Sequence, residues 1–312
     1  MKYLRLVPEK TNLRFMRWRK ISYPVSALIA LASILMFFTV GLNYGIDFKG
    51  GTLIEIKTLE GPADIGDIRS KLSGMDLGDV QVQEFGSPSE VLIRIEHQGD
   101  EETSQQEVLS GIQQTLGSGV EFRRTEIVGP RVSGELARAG TMAIVGALVV
   151  ILIYIWIRFE WHFAVGAIIT TLNDIIVTIG LFSLLHLDFT LSSIAAVLTI
   201  LGYSLNDTVV VYDRVRENLR RYKKMPLEDL LDRSINETLS RTVNTSVTTL
   251  LALFALYAFG GEVIQSFVLA MIFGVVIGTY STVFLSSPLL ILLNLRPSAF
   301  NKEEEEKKAV KA

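Results

Sequence analysis

Six stretches of this 312-residue chain stay apolar for about the thickness of a bilayer: 23–44, 140–157, 163–186, 190–212, 242–259 and 264–293. A helix needs roughly 20 such residues to cross hydrocarbon, where its backbone polar groups have no water to bond and must be satisfied within the helix. The spacing predicts an α-helical integral membrane protein with six transmembrane helices. A hydrophobic content of 49% points the same way, since it is hard to reconcile with so few residues left to cover a soluble surface.

Charge then orients the spans. Lys2, Arg5, Lys10, Arg14, Arg17, Arg19 and Lys20 precede the first apolar run, which is too long for a signal-peptide core and lacks a small-residue cleavage site. It reads as a retained anchor behind a basic cytoplasmic amino terminus, 1–22. With that start, the loop 213–240 and the tail from Arg296 are also cytoplasmic, and both are rich in Lys and Arg. The outward turns near His186–Thr190 and Gly260–Glu262 hold neither. The expected organisation is span one at 23–44, an extracytoplasmic domain with linkers at 45–138, spans two to six within 139–295, and a cytoplasmic charged tail at 296–312. That tail, "NKEEEEKKAVKA", cannot bury a core and is expected to be disordered.

The segment between spans one and two is large enough to fold alone. "GTLIEIKTL" (51–59), "GDVQVQEF" (78–85), "EVLIRIEH" (90–97) and "GVEFRRTEIV" (119–128) alternate as strands do. Pro62 opens a helix with Ile65, Ile68 and Leu72 at helical spacing, and Val108, Ile112 and Leu116 mark another. The order β-α-β-β-α-β predicts an α+β ferredoxin-like domain, which carries no function by itself. In the cytoplasmic loop, Leu227, Leu230, Leu231, Ile235 and Leu239 form an apolar stripe after Pro226. Two readings stand: a helix on the membrane surface or a partner, and a helix packed on the protein's own span ends.

Several chemistries are excluded or made improbable. There is no cysteine, and His97, His162 and His186 are too scattered to ligate a metal together, so neither metal nor cofactor is expected. The glycines of "GIDFKGGT" (45–52) lack the Lys-Ser/Thr of a phosphate-binding loop. No nucleotide hydrolysis and no nucleic-acid partner are expected. What remains is the ionisable set inside the spans: Asp174, Asp207 and Arg241, with Asn206 beside Asp207. A carboxylate near a span centre costs about 2.5–3.5 kcal/mol on insertion scales, so it faces protein or water and is functional by default. Six residues before Asp213, Asp207 should lie roughly 9 Å into the membrane, close in depth to Arg241 on the antiparallel next span. The two can pair or approach one another. Against this stand helix-gluing hydrogen bonds for Asn206, Asp207 and the Asn173–Asp174 pair, and snorkelling for Arg241.

Four motifs carry a resemblance: "YGIDFKGGT" after the first span, "VGPRVSGEL" (128–136) before the second, "YSLNDTVVVYDRVREN" (203–218) and "NETLSRTVNTS" (236–246). Together, in this order along essentially the whole chain, they resemble the SecF branch of the SecD/SecF family of bacterial protein-export subunits. The resemblance implies motif glycines at Gly45, Gly50, Gly51 and Gly129, with Asp47 and Pro130 among them. It implies a SecD-like partner, the SecYEG channel, the SecA motor indirectly, an unfolded preprotein as client, and the bilayer of the bacterial cytoplasmic (inner) membrane. Proton flow would drive late translocation by drawing the exported chain outward and hindering its backsliding. The family's proton-linked acid in S-x-N-D-T falls on Asp207, and its span-five arginine in R-T-x-x-T-S falls on Arg241. The chain departs from the family at Asn173, where a histidine is frequent, and at Ser133, where a glycine is.

Other classes compete. An intramembrane aspartyl protease would pair Asp174 with Asp207 around one water, which needs equal depth. Asp174 lies 13 residues beyond Trp161, roughly 20 Å in against roughly 9 Å for Asp207. A proton-driven small-molecule exporter and a purely structural subunit are the remaining alternatives, the former disfavoured by the small outer domain.

Overall fold

The computed structural model describes residues 8, 11–75, 77, 80–95 and 102–295. The expectations for Lys2, Arg5, Lys10, His97 and the tail 296–312 lie outside these residues. In chain order the elements begin with α1 (Arg19–Thr39), β1 (Asn43–Tyr44), α2 (Ile46–Lys49), β2 (Gly51–Thr58), α3 (Ile65–Ser73), β3 (Val80–Phe85) and β4 (Ser87–Ile95). There follow α4 (Glu102–Leu116), β5 (Val120–Val128), α5 (Pro130–Arg158), α6 (Trp161–Leu184), β6 (Asp188–Phe189) and α7 (Leu191–Arg221). The chain continues with α8 (Leu227–Phe259) and α9 (Gln265–Ser281), then a π-helical turn at Thr282–Ser286 that leads into α10 (Ser287–Leu292). Two compact units result, one of residues up to Leu42, Val145–Leu187 and from Ala195, the other of Asn43–Ile144 and Asp188–Ile194.

The helical unit holds the apolar spans. Six helical stretches among the described residues are long and apolar enough to cross a membrane: Phe15–Thr39, α5, α6, α7, α8 and Gln265–Leu292. The molecule is a multi-pass membrane protein. Both α7 and α8 run on beyond their apolar parts, so most of the loop 213–240 is helix. The stripe of that loop is covered by the chain itself: Leu230, Leu231 and Ile235 are buried in one cluster with Met16, Val215 and Leu219. This decides between the two readings in favour of packing on the protein's own span ends. Asn236 clamps the incoming chain as a strand neighbour would, accepting from Leu13 N–H at 2.9 Å and donating to Leu13 O at 2.8 Å. Asp232 accepts Met16 N–H at 2.8 Å, and Arg19 pairs with Glu228. Where α7 crosses α9, a Cβ on Gly278 would stand 3.1 Å from Ser204, so hydrogen is what lets the helices approach.

The second unit is built on an antiparallel sheet of order β3-β4-β2-β5. Alternation puts Ile54, Ile56, Val91 and Ile93 on the covered face, in register as Ile54↔Ile93 and Ile56↔Val91, where Ile68 and Leu72 of α3 and Ile112 of α4 bury them. The first helix starts at Ile65 rather than at Pro62, because Asp64 caps it by accepting Asp67 N–H at 3.0 Å. Two motifs some 80 residues apart meet at the sheet's edge. Gly50 and Gly51 have φ of +75° and +118°, and a Cβ on Gly50 would lie 3.3 Å from Val128 O and 3.4 Å from Ser133 Oγ. That backbone favours glycine, and the neighbours leave it little room for more. Gly129 O accepts Ser133 N–H at 3.0 Å, and Pro130 sits at the first position of α5, where its missing N–H costs nothing. Ser133 is buried and donates to Pro130 O at 3.0 Å, so the serine that departs from the family pattern has a bonded place here.

Candidate functional site

A polar seam runs through the apolar interior of the helical unit. Ser204, Thr208 and Tyr212 recur every four residues on one face of α7, and all three are buried. Opposite them the π turn and its flanks carry Ser281, Thr282 and Ser286, also buried. A π turn inserts one residue into the helical repeat and so rotates the hydroxyls on either side of it toward one seam. Thr208 and Thr282 hydroxyls meet at 3.0 Å, Ser286 Oγ donates to Tyr212 Oη at 2.7 Å, and Tyr212 Oη donates to Ser286 O at 3.2 Å.

Of the two aspartates named from the sequence, Asp174 is bonded into this seam, whereas Asp207 is buried on α7 without a bond to it. Asp174 of α6 is fully buried, and its Oδ2 accepts Ser204 Oγ at 2.5 Å and Ser281 Oγ at 2.9 Å. Asn173 Nδ2 adds a long contact of 3.5 Å to Oδ1. Asp207 of α7 is 3% exposed, yet its Oδ2 is buried with no hydrogen-bond partner. An unpaired carboxylate oxygen in such a place is costly to keep charged. Arg241 of α8 is the cation whose charge reaches Asp207, although the two are not in ion-pair contact.

The expected depth gap between the acids shrinks here. Because Asp174 bonds Ser204, three residues before Asp207, the two acids are about one helical turn, or roughly 5 Å, apart along α7. The larger gap came from measuring α6 from its own start and α7 from a charged residue within a helix that continues to Arg221. A shared catalytic water is disfavoured instead by Asp174 itself, whose Oδ2 already accepts two hydroxyls. Asn206 is not part of the seam, for it lies exposed on α7, as do Gly202 on that helix and Arg241, Asn244 and Thr248 on α8.

The hydroxyls were invisible to cost arguments, since a serine or threonine in a membrane helix can bond a carbonyl of its own helix. The four-residue recurrence of Ser204, Thr208 and Tyr212 was the available signal. The motif residues of the second unit form a separate cluster. Asp47 Oδ2 accepts Leu191 N–H at 2.9 Å, which caps the first turn of α7, and Gly45 N–H donates to Phe189 O at 2.9 Å as β1 pairs in parallel with β6. Arg94 pairs with Asp188 at 2.9 Å and donates to Asn43 Oδ1 at 3.3 Å, and Asn43 Nδ2 donates to Asp188 at 2.7 Å.

The family model described as "Protein export membrane protein SecD/SecF, C-terminal" matches residues 108–296, and the SecD/SecF GG motif matches residues 35–58. The chain is 43% identical to protein translocase subunit SecF of Rhodobacter capsulatus, over 97% of this chain and 96% of that one. It is equally 43% identical to protein translocase subunit SecDF of Brucella abortus, over 94% of this chain but only 39% of that longer relative. Among solved structures it resembles SecDF, a translocon-associated membrane protein from Thermus thermophilus, with a TM-score of 0.83 at 33% identity, covering 93% of this chain and 40% of that one. SecDF in a super-membrane-facing form matches with a TM-score of 0.67, also at 33% identity, over 99% of this chain and 41% of that one. With the family model matching well over half its length and SecF relatives matching nearly end to end, the chain belongs to the SecD/SecF family of protein-export membrane proteins.

Proposed function

We propose that this chain is the SecF-type membrane subunit which, with a SecD-type partner, uses the proton gradient to promote late steps of preprotein translocation through a SecYEG channel. Asp207 takes and releases the coupling proton, and Arg241 biases that exchange. The observation that carries this reading is the buried, unpartnered Oδ2 of Asp207 with a guanidinium in electrostatic reach but not bonded to it. A carboxylate held by two hydroxyls is anchored, whereas one with a free oxygen can bind a proton without first breaking a bond.

The printed names of the relatives, translocase subunits, supply the process. A SecD-type partner is supported by SecDF relatives in which a segment like this one is 39–41% of a longer chain. It is also supported by polar groups that this chain alone leaves uncovered on α7 and α8: Asn206, Arg241 and Asn244. Hydrocarbon does not satisfy such groups, and a second chain or a water-filled path does. SecA acts indirectly, on the same channel and client. The charge distribution supports cytoplasmic termini in a bacterial inner membrane, with the second unit outside. Its strand order supports the ferredoxin-like split β-α-β arrangement, in which the outer domain handles the emerging client.

The test is reconstitution of the complex with channel and motor in vesicles, where Asp207→Asn removes titration but keeps shape. The expected result is an assembled complex whose export is no longer stimulated by an imposed pH gradient, with ATP-driven export retained. Normal stimulation in the variant would return Asp207 to a helix-packing role.

A further inference from the structure

At one end of the helical unit, where α5 stops and α7 extends past its apolar part, an open groove of about 660 Å³ is lined by Arg158, Asp213, Arg216, Glu217, Arg220 and Arg221. Four guanidiniums face two carboxylates, and the carboxylates are already engaged. Asp213 binds Arg158 through both oxygens at 3.0 and 3.2 Å, and Glu217 binds Arg214 at 2.6 Å. Arg216 is left with one marginal contact to Asp213 at 4.0 Å, and its Nε is buried with no hydrogen-bond partner. Like charges are nevertheless held close: the guanidiniums of Arg158 and Arg216 both rest against the Phe159 ring, 5.0 and 5.6 Å from its centroid. Arg220 is exposed, and Arg221 leans on Tyr222 at 5.5 Å. Fixing several cations together costs repulsion, which an anion arriving between them relieves.

The neighbouring residues say which anion. Immediately before Arg158, Trp156 and Ile157 are 59% and 80% exposed, so this end of α5 offers apolar surface directly beside fixed positive charge. Aromatic residues and arginines gather at the level of lipid headgroups, where the ring sits among the glycerols and the guanidinium meets phosphate. A soluble anion would have no use for that apolar flank.

We propose that this groove binds the phosphodiester headgroup of an anionic phospholipid, with Arg216, Arg220 and Arg221 receiving the charge while acyl chains run past Trp156 and Ile157. Guanidinium suits the task, since its planar fork grips two phosphate oxygens at once. The inference rests on the membrane reading alone and is independent of proton coupling.

The test is native mass spectrometry of the full chain in detergent micelles supplemented with equal amounts of phosphatidylglycerol and phosphatidylethanolamine. The wild type should retain phosphatidylglycerol in preference, and Arg216→Gln with Arg220→Gln should lower that retention about tenfold or more, given the loss of two near-surface charges. A control with Arg17→Gln and Lys20→Gln, which removes the same charge from exposed positions elsewhere, should leave retention unchanged. Excess inorganic phosphate, the soluble source of the same chemistry, should not displace the lipid. Equal retention of both lipids, undiminished retention in the groove variant, or displacement by inorganic phosphate would each overturn the proposal.

Discussion

Asp174 and Asp207 lie about one helical turn apart along α7, and the bundle treats them oppositely. Around Asp174 the helices converge hydroxyls, Ser204 from α7 and Ser281 from α9, onto a single carboxylate oxygen. Around Asp207 they leave an oxygen buried and unbonded, with the charge of Arg241 on α8 acting on it without a bond. The first arrangement is what packing needs, for a satisfied polar group ties three helices and specifies their register. The second costs stability, a cost that makes sense where the proton it can bind is part of what the molecule does. Burial alone therefore does not distinguish the two acids, whereas their hydrogen-bond partners do.

The difference can be broken by truncation. Asp174→Ala should destabilise the detergent-solubilised chain by about 2 kcal/mol, because the buried Ser204 hydroxyl loses its acceptor and Ser281 keeps only its 3.1 Å bond to Gly278 O. Asp207→Ala should cost far less, within about 1 kcal/mol, since it removes an unsatisfied oxygen rather than a satisfied one. Thermal unfolding of the two variants side by side reads the contrast, and equal losses would dissolve it. A smaller effect sharpens the same point: Ser281→Ala should cost about 1 kcal/mol, because Ser204 still donates to the same oxygen. Thr208→Val should cost about 0.5–1 kcal/mol through its lost bond to Thr282. Smallest in stability is Arg241→Met, which should leave the unfolding midpoint unchanged within error, because the exposed guanidinium is not bonded to Asp207, yet weaken stimulation of export by a pH gradient. Unimpaired stimulation in that variant would remove Arg241 from the coupling step.

Much of this was legible from residue order. The spans follow from apolar length, and the two aspartates stood out because hydrocarbon makes a carboxylate expensive. The motif glycines acquire their reason only in three dimensions, where Gly50 meets Val128 and Ser133 across the sheet edge. What sequence could not supply is register. Nothing in Thr282–Ser286 marks a π turn, since the segment holds neither proline nor glycine, and without it the convergence of Ser281, Thr282 and Ser286 on α7 is not foreseeable. The depth of Asp174 failed for a related reason, because helices of different length do not begin at a common plane. The amphipathic stretch after Pro226 failed to declare its partner, because a stripe such as Leu230, Leu231 and Ile235 records that something covers it but not what.

The proposed exchange of the proton at Asp207, and not at its hydroxyl-bound neighbour, can be observed directly. Infrared difference spectra of the full complex in vesicles, recorded on switching the imposed pH gradient, report the carboxylic-acid carbonyl band directly. The band should appear on acidification in wild type, persist in Asp174→Asn and vanish in Asp207→Asn. A band that survives Asp207→Asn and disappears with Asp174→Asn would contradict the assignment and transfer the proton to the acid taken here as structural.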